Sequence, residues 1–336
     1  MVCPFANLML CAMMRTARVK GKKRKACAFR FFRKGDSMTN SVQNVRKKRD
    51  YTPYIMLAPA LLLICCIIIY PIFYAVFTSF QYYAMFDLAN RRFVGLQNYI
   101  QVWHDDAFLA SLSNTARWVI VTVSLQFLLG LILALILNQN FRFRGFLRSI
   151  SLIPWVTPGV VIALMWMWMY NGNFGVLNDL LMRAGILGDK VAWLSNAHTA
   201  LNAQILTMVW QGTPFFAIMI LASLQSIPID LYEAADVSGA NIWQKFYYIT
   251  WPHIFPTIVI TSLLRIIWVF NNVEVLYLMT QGGPGYSSLT LSLNAYIEAQ
   301  KSLNFGYGST IAVYGTLIMI LFMTFYLKFT RKNRER

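Results

Sequence analysis

The sequence predicts an all-α integral membrane protein with six transmembrane helices and both termini in the cytoplasm. Three observations predict it. Of 336 residues, 57% are apolar and only 13% charged, where soluble globular chains carry about 25% charged and 45–50% apolar residues. The charges are lopsided, 30 basic against 13 acidic for a net +17. Long uncharged stretches also divide the chain. A soluble nucleic-acid-binding domain can be this basic but not this apolar, and a disordered tail would not hold 24 Phe, 17 Tyr and 10 Trp.

The uncharged stretches place the spans. Asp50 and Asp87 enclose 36 uncharged residues, Arg117 and Arg142 enclose 24, Arg148 and Asp179 enclose 30, and Lys301 and Lys328 enclose 26. Lys190 and Asp230 enclose 38 besides the neutral His198. Each holds the ~20 apolar residues that cross a ~30 Å hydrocarbon core as a helix. A sixth stretch, Ile254 to Leu278, is interrupted by Arg265 and Glu274. Helices are expected near 54–80, 115–138, 149–170, 202–225, 254–277 and 310–329. Pro59, Pro71, Pro154 and Pro158 are expected to kink or end them.

Orientation follows from the Lys/Arg bias of the flanking segments. Segment 1–50 carries 14 Lys/Arg, and with the 139–148 loop, the 226–253 loop and the C-terminal tail the count reaches 23. The opposite loops hold five: Arg91, Arg92, Arg183, Lys190 and Lys301. The domain organisation expected is a basic cytoplasmic tail over 1–50, a transmembrane domain over 51–330, and a short basic tail over 331–336. The basic clusters of the first tail read as a topology signal with attraction to anionic lipid rather than as nucleic-acid binding. The apolar start precedes its basic run, the reverse of a signal peptide, and Met38 opens a more typical beginning. The five cysteines, Cys3, Cys11, Cys27, Cys65 and Cys66, all fall in that tail or the first span, which leaves the outer loops no disulfide framework.

The 226–253 loop carries the strongest functional signal. Pro228 and Asp230 suit a helix start. Glu233-Ala234-Ala235 combines a good helix former with two small side chains that let another backbone approach. Gly239 permits a turn. Ile242, Trp243, Phe246 and Tyr247 recur at helical spacing as one apolar face, and Pro252 is expected to stop the second helix where the next span begins. A small, structured, aromatic loop is shaped to be gripped by a partner.

These residues resemble the signature of the membrane subunits of binding-protein-dependent ABC importers. Glu233-Ala234-Ala235, Gly239, Ile249 and Pro252 fall on its spacing, with Trp251 where Leu is usual. Thr280 to Gly285, Ser287 to Thr290, Tyr296 and Gly306-Tyr307-Gly308 resemble the sugar-importer branch, the maltose/glycerol-phosphate type, and the likeness covers roughly 50–330. The resemblance implies the type I ABC importer permease fold in a bacterial inner membrane. It further implies a second homologous permease subunit, a dimer of cytoplasmic ATPase subunits gripping the Glu-Ala-Ala loop, an extracytoplasmic solute-binding protein and a saccharide substrate. ATP and Mg would sit on the ATPase. The sequence itself has no Gly-rich loop before a Lys-Ser/Thr pair, so no cofactor and no catalysis are expected on this chain.

Arg265 stands near the middle of the fifth expected span. An arginine there costs at least ~2.5–3.5 kcal/mol, so it is expected to face the bundle interior or a water-filled cavity. Trp268, Val269 and Asn272 follow at i+3, i+4 and i+7 on one face. A stripe of Arg, Trp and Asn offers a ring to stack on a sugar and donors for its hydroxyls or a carboxylate. The resemblance places the corresponding positions, together with Gln211 and Gly212 after Trp210 on the preceding helix, along a sugar pathway. A cation facing substrate favours an acidic saccharide, such as a uronate oligosaccharide, or a sugar phosphate; structural pairing of Arg265 leaves a neutral oligosaccharide open. Glu274, nine residues on, falls on roughly the opposite face. His104, His198 and His253 lie in separate loops with no ligand cluster, so no metal site is expected. A secondary carrier would need ion-coupling carboxylates within the membrane and internal repeats, of which only Glu274 is seen; a membrane enzyme would need converging titratable groups.

Overall fold

The computed structural model describes residues 52–334, with side chains from 54 to 330. The expected tail 1–50, with Cys3, Cys11, Cys27 and Met38, and the side chains of 331–336 lie outside the described residues. The chain divides into two compact units, Met1–Ile68 and Ile69–Arg336. Of the first, the structure describes α1 (Thr52–Ile64) and the start of a π-helical turn, Cys65–Ile69.

The second unit is helical with one small hairpin. In chain order it holds α2 (Tyr70–Ser79), β1 (Gln81–Tyr82), β2 (Arg92–Phe93), α3 (Gln97–Val102), α4 (Asp106–Asn138), α5 (Arg144–Ser151), α6 (Ile153–Val156), α7 (Gly159–Met169) and α8 (Val176–Arg183). It continues with α9 (Ala200–Gln225), α10 (Ile229–Val237), α11 (Ile242–Lys245), α12 (Trp251–Phe270), α13 (Glu274–Thr280), α14 (Leu291–Gln300) and α15 (Phe305–Arg334). β1 and β2 pair antiparallel, Gln81 opposite Phe93. Asn98 Nδ2 ties the hairpin down, donating to the carbonyls of Ser79 and Gln81 at 2.9 Å each.

Among the described residues five helices are long and apolar enough to cross a membrane, six if one bent pair counts as a single span. The second expected span starts earlier than read, at Asp106, because Asp105 caps the helix: its Oδ1 accepts the Ala107 N–H at 2.9 Å. The third is not the single helix expected over 149–170. It is the pair Arg144–Val156 and Gly159–Met169, bent by 93°. Pro158, at φ −57° and ψ 141°, leaves helical geometry and brings no N–H to continue the ladder. The fifth does not run through to 277. It ends at Phe270, where Asn271 Nδ2 donates to the Ile267 carbonyl and Asn272 Oδ1 accepts the Val275 N–H. Two asparagine side chains thus replace backbone partners and restart the chain as α13.

The core lies where α4 crosses α9. A Cβ on Gly130 of α4 would run into Phe216 and lie 3.1 Å from the Thr213 carbonyl, so the glycine lets the two backbones approach. Trp118, Phe108, Phe216 and Ile220 are fully buried around this contact. Trp118 Nε1 donates to the Val269 carbonyl at 2.9 Å and binds α12 to α4. At the α4 N-terminus, Asp105 Oδ2 accepts the Tyr307 hydroxyl at 2.6 Å. Outside the spans, burial and then the Asp105 charge hold the Glu298 carboxyl above its usual range against an opposing hydrogen bond from Ser302.

Candidate functional site

The loop between α9 and α12 is built as the sequence suggests, with one change. α10 starts after Pro228, with Asp230 in its first turn rather than at the cap. It ends in a Schellman motif: the Gly239 N–H bonds the Asp236 carbonyl at 3.0 Å and the Ala240 N–H bonds the Ala235 carbonyl at 2.9 Å. Gly239 sits at φ +76°, where a Cβ is strained, so the turn requires glycine. α11 opens with a reciprocal capping box. Asn241 Oδ1 accepts the Gln244 N–H and Gln244 Oε1 accepts the Asn241 N–H, both at 2.8 Å. Lys245 and Asp236 pair across the turn, and Tyr232 and Thr250 share a hydroxyl–hydroxyl bond of 2.9 Å.

The change concerns Pro252. It does not stop α11. A π-helical turn, Phe246–Thr250, joins α11 to α12, and the helix runs unbroken over Ile242–Phe270. The Trp251 N–H reaches back to the Phe246 carbonyl, and Pro252, lacking an N–H, falls at the opening of the next helical stretch. Ile249, within the π turn, packs on the core. Glu233 and Ala234 are exposed and Ala235 is half-buried. Val237 (92% exposed) and Ile242 (81%) stand out from the turn beside exposed Trp243 and Tyr247; Phe246 of the expected face instead folds back toward Trp251.

The second constellation gathers around Arg265. Its side chain is buried, 3% exposed, among α4, α6, α9 and α12. Nε donates to Gln126 Oε1 at 2.9 Å, and Gln126 Nε2 in turn donates to the Met208 carbonyl at 2.6 Å. The guanidinium lies 5.3 Å from the Trp155 ring centroid. Gly212, at the midpoint of the 26-residue α9, leaves the space: a Cβ there would collide with both the Arg265 guanidinium and the Gln126 amide. One η nitrogen of Arg265 and Oε1 of Gln211 are buried with no hydrogen-bond partner. Trp268 is half-exposed and joins Trp155 (5.6 Å) and Phe215 (5.1 Å) in an aromatic cluster.

The structure therefore brings Arg265 and Gly212 into contact and sets Trp268 beside them through Trp155. Asn272 does not extend the stripe, because the helix ends two residues before it. Glu274 makes no ion pair with Arg265; its carboxylate lies against Gly159, the first residue of α7. Gln126 and Trp155 were not singled out in the sequence. Gln126 carries a usable signal, a lone amide inside an apolar span, but its partner is 139 residues away.

Comparison with known proteins gives the same picture. Residues 126–335 match the family described as binding-protein-dependent transport system inner membrane component. The chain is 36% identical over 277 residues to the sulfoquinovosyl glycerol transport system permease protein SmoG of Agrobacterium fabrum, covering 82% of this chain and 89% of the relative. It is 35% identical over 299 residues to the trehalose/maltose transport system permease protein MalF of Thermococcus litoralis, covering 89% and 100%. A solved bacterial alginate ABC transporter, bound to an alginate pentasaccharide-loaded periplasmic protein, shares the fold at TM-score 0.74 and 22% identity, over 85% of this chain and 96% of that one. The chain belongs to the family of inner membrane components of binding-protein-dependent transport systems.

Proposed function

We propose that this chain is one of two paired membrane subunits of an ATP-driven importer that carries a saccharide into the cytoplasm by alternating access. The observation that carries the reading is the loop Ile229–Lys245. Two short helices are locked by a Schellman turn, a capping box and an ion pair, and they present exposed apolar side chains at their tip. A rigid, apolar-tipped loop feeding a helix unbroken from Ile242 to Phe270 suits a lever between a cytoplasmic ATPase dimer, which would hold ATP and Mg, and the bundle. An extracytoplasmic binding protein would deliver the solute, and six spans with both termini cytoplasmic complete the arrangement. The relatives named for trehalose/maltose and sulfoquinovosyl glycerol support a saccharide. Gly239→Pro, which cannot adopt φ +76°, is expected to abolish uptake and substrate-stimulated ATP hydrolysis while the protein still inserts. Normal uptake would remove the coupling assignment.

A second reading narrows the cargo to an acidic saccharide. It is favoured by the η nitrogen of Arg265 that has no partner beside Gly212, Gln211 and the Trp155–Trp268 cluster. In the assembled transporter, Arg265→Gln is expected to lower uptake of a uronate oligosaccharide more than that of a neutral one. Equal losses would assign Arg265 to structure and leave a neutral oligosaccharide or a glycerol or sugar phosphate as the cargo class to test.

A further inference from the structure

The segment joining α4 to α7 belongs to neither constellation, yet α5 is sharply two-faced. Phe146, Leu147 and Ile150 fall within one arc of the helix, and Arg144 and Arg148, four residues apart, fall on another. Phe143 (69% exposed) and Phe146 (65%) protrude together with exposed Leu147 and Ile150. The apolar face continues the outward surface of α4, where Leu128, Leu129, Ile132 and Ile136 are also exposed. Arg142 stands over the Phe143 ring, 5.4 Å from its centroid, and Arg144 donates to Asn140. Arg148 acts differently, because its η nitrogen donates to the Leu137 carbonyl at 3.0 Å and closes the end of α4.

What distinguishes these arginines is missing counter-charge. No Asp or Glu occurs between Asp106 and Asp179 in the sequence. The ion pairs among the described residues are Arg183–Asp179 and Lys245–Asp236, neither of which involves this segment. Arg142 and Arg144 are exposed beside an apolar face that is continuous with a membrane-crossing helix. That combination matches a helix lying in the headgroup plane, its apolar side in the acyl chains and its arginines at phosphate level.

We propose that Arg142 and Arg144, beside the exposed apolar face of Phe143, Phe146 and Ile150, form a binding site for the headgroup of an anionic phospholipid. The site anchors the α4–α7 connection, next to the 93° bend, in the interfacial layer. It does not depend on which solute is carried. The lipid is recognised by charge and position, two guanidiniums for one phosphate and aromatic rings for the acyl boundary.

The test titrates the purified full-length complex with phosphatidylglycerol and, separately, phosphatidylcholine, counting bound lipid by native mass spectrometry. Arg142→Gln/Arg144→Gln is the variant; Arg148 stays because it closes α4. Loss of two headgroup-facing charges is expected to weaken phosphatidylglycerol binding by roughly 30-fold and leave phosphatidylcholine unchanged. Equal affinity in wild type and variant overturns the site. So does a variant that keeps its phosphatidylglycerol affinity but sheds its ATPase subunits, since the face would then belong to a protein partner. If the variant does not insert, the wild type decides: raising salt from about 0.05 to about 0.5 M should release phosphatidylglycerol, and salt-insensitive binding rejects the proposal.

Discussion

Gln126 accepts the buried Arg265 guanidinium and passes the chain on to a backbone carbonyl of α9, so one amide links three helices. A hydrogen bond to a charged group contributes about 1.5–3 kcal/mol, and its loss leaves the charge buried without an acceptor. Gln126→Leu is therefore expected to lower the stability of the purified protein by about that amount, read as the thermal midpoint in detergent. Because the two side chains act as a unit, Arg265→Leu should cost less in the Gln126→Leu background than in the wild type. Additive losses would show that the bond contributes nothing. The sequence offered half of this site. A charge in an apolar run announces itself by its insertion cost, and Arg265 did so. The partner did not, because a neutral amide in a long apolar helix costs little enough to pass as one more core position. Gly212 was marked only by the family likeness, and the structure supplies its physical reason: a side chain at that point fills the space the guanidinium occupies.

At the scale of elements, the lever depends on α10, α11 and α12 moving as one body. Three links hold them: the ion pair of Asp236 and Lys245, the capping box of Asn241 and Gln244, and the Tyr232–Thr250 hydroxyl bond. The ion pair is exposed on its aspartate side and contributes little by itself. Thr250 is buried, so the tyrosine bond is the more consequential tie. Tyr232→Phe removes one hydroxyl without changing the ring. It is expected to reduce substrate-stimulated ATP hydrolysis several-fold while the ATPase subunits still co-purify. Unchanged stimulation would show that the loop transmits motion without this tie. The turn at Gly239 was legible in the sequence because glycine at a helix end has a specific backbone use. The continuity from Ile242 to Phe270 was not. Proline normally marks a helix boundary, and only a widened turn ahead of Pro252 lets the ladder pass it, which depends on backbone geometry rather than composition. The same rule read from Pro158 gave a boundary in the right place but missed the 93° bend that follows from it.

For the whole molecule, charge bias and fold make a joint statement that can be separated by labelling. Twenty-three Lys/Arg against five place the 139–148 and 226–253 loops together on the cytoplasmic side. That distribution requires the bent pair Arg144–Val156 and Gly159–Met169 to cross the membrane as one span. A re-entrant excursion would return residues 171–199 to the side of residue 142 and leave five crossings. Buried backbone argues for a crossing: the Tyr170 hydroxyl, at the far end of α7, donates to the Ala203 carbonyl near the start of α9, while Trp155, before the bend, stacks on Phe215 in the second half of α9. The pair therefore runs antiparallel to α9 along much of its 26 residues. Single cysteines at Arg142 and Lys190, in a background cleared of the native thiols, are expected to label from opposite faces of intact cells with a membrane-impermeant maleimide. Lys190→Cys should react at once and Arg142→Cys only after permeabilisation. Labelling of both from the same face would make the bend a re-entrant loop and put the two termini on opposite sides. Labelling of Arg142→Cys alone in intact cells would invert the whole bundle and leave the Glu233 loop out of reach of any cytoplasmic ATPase.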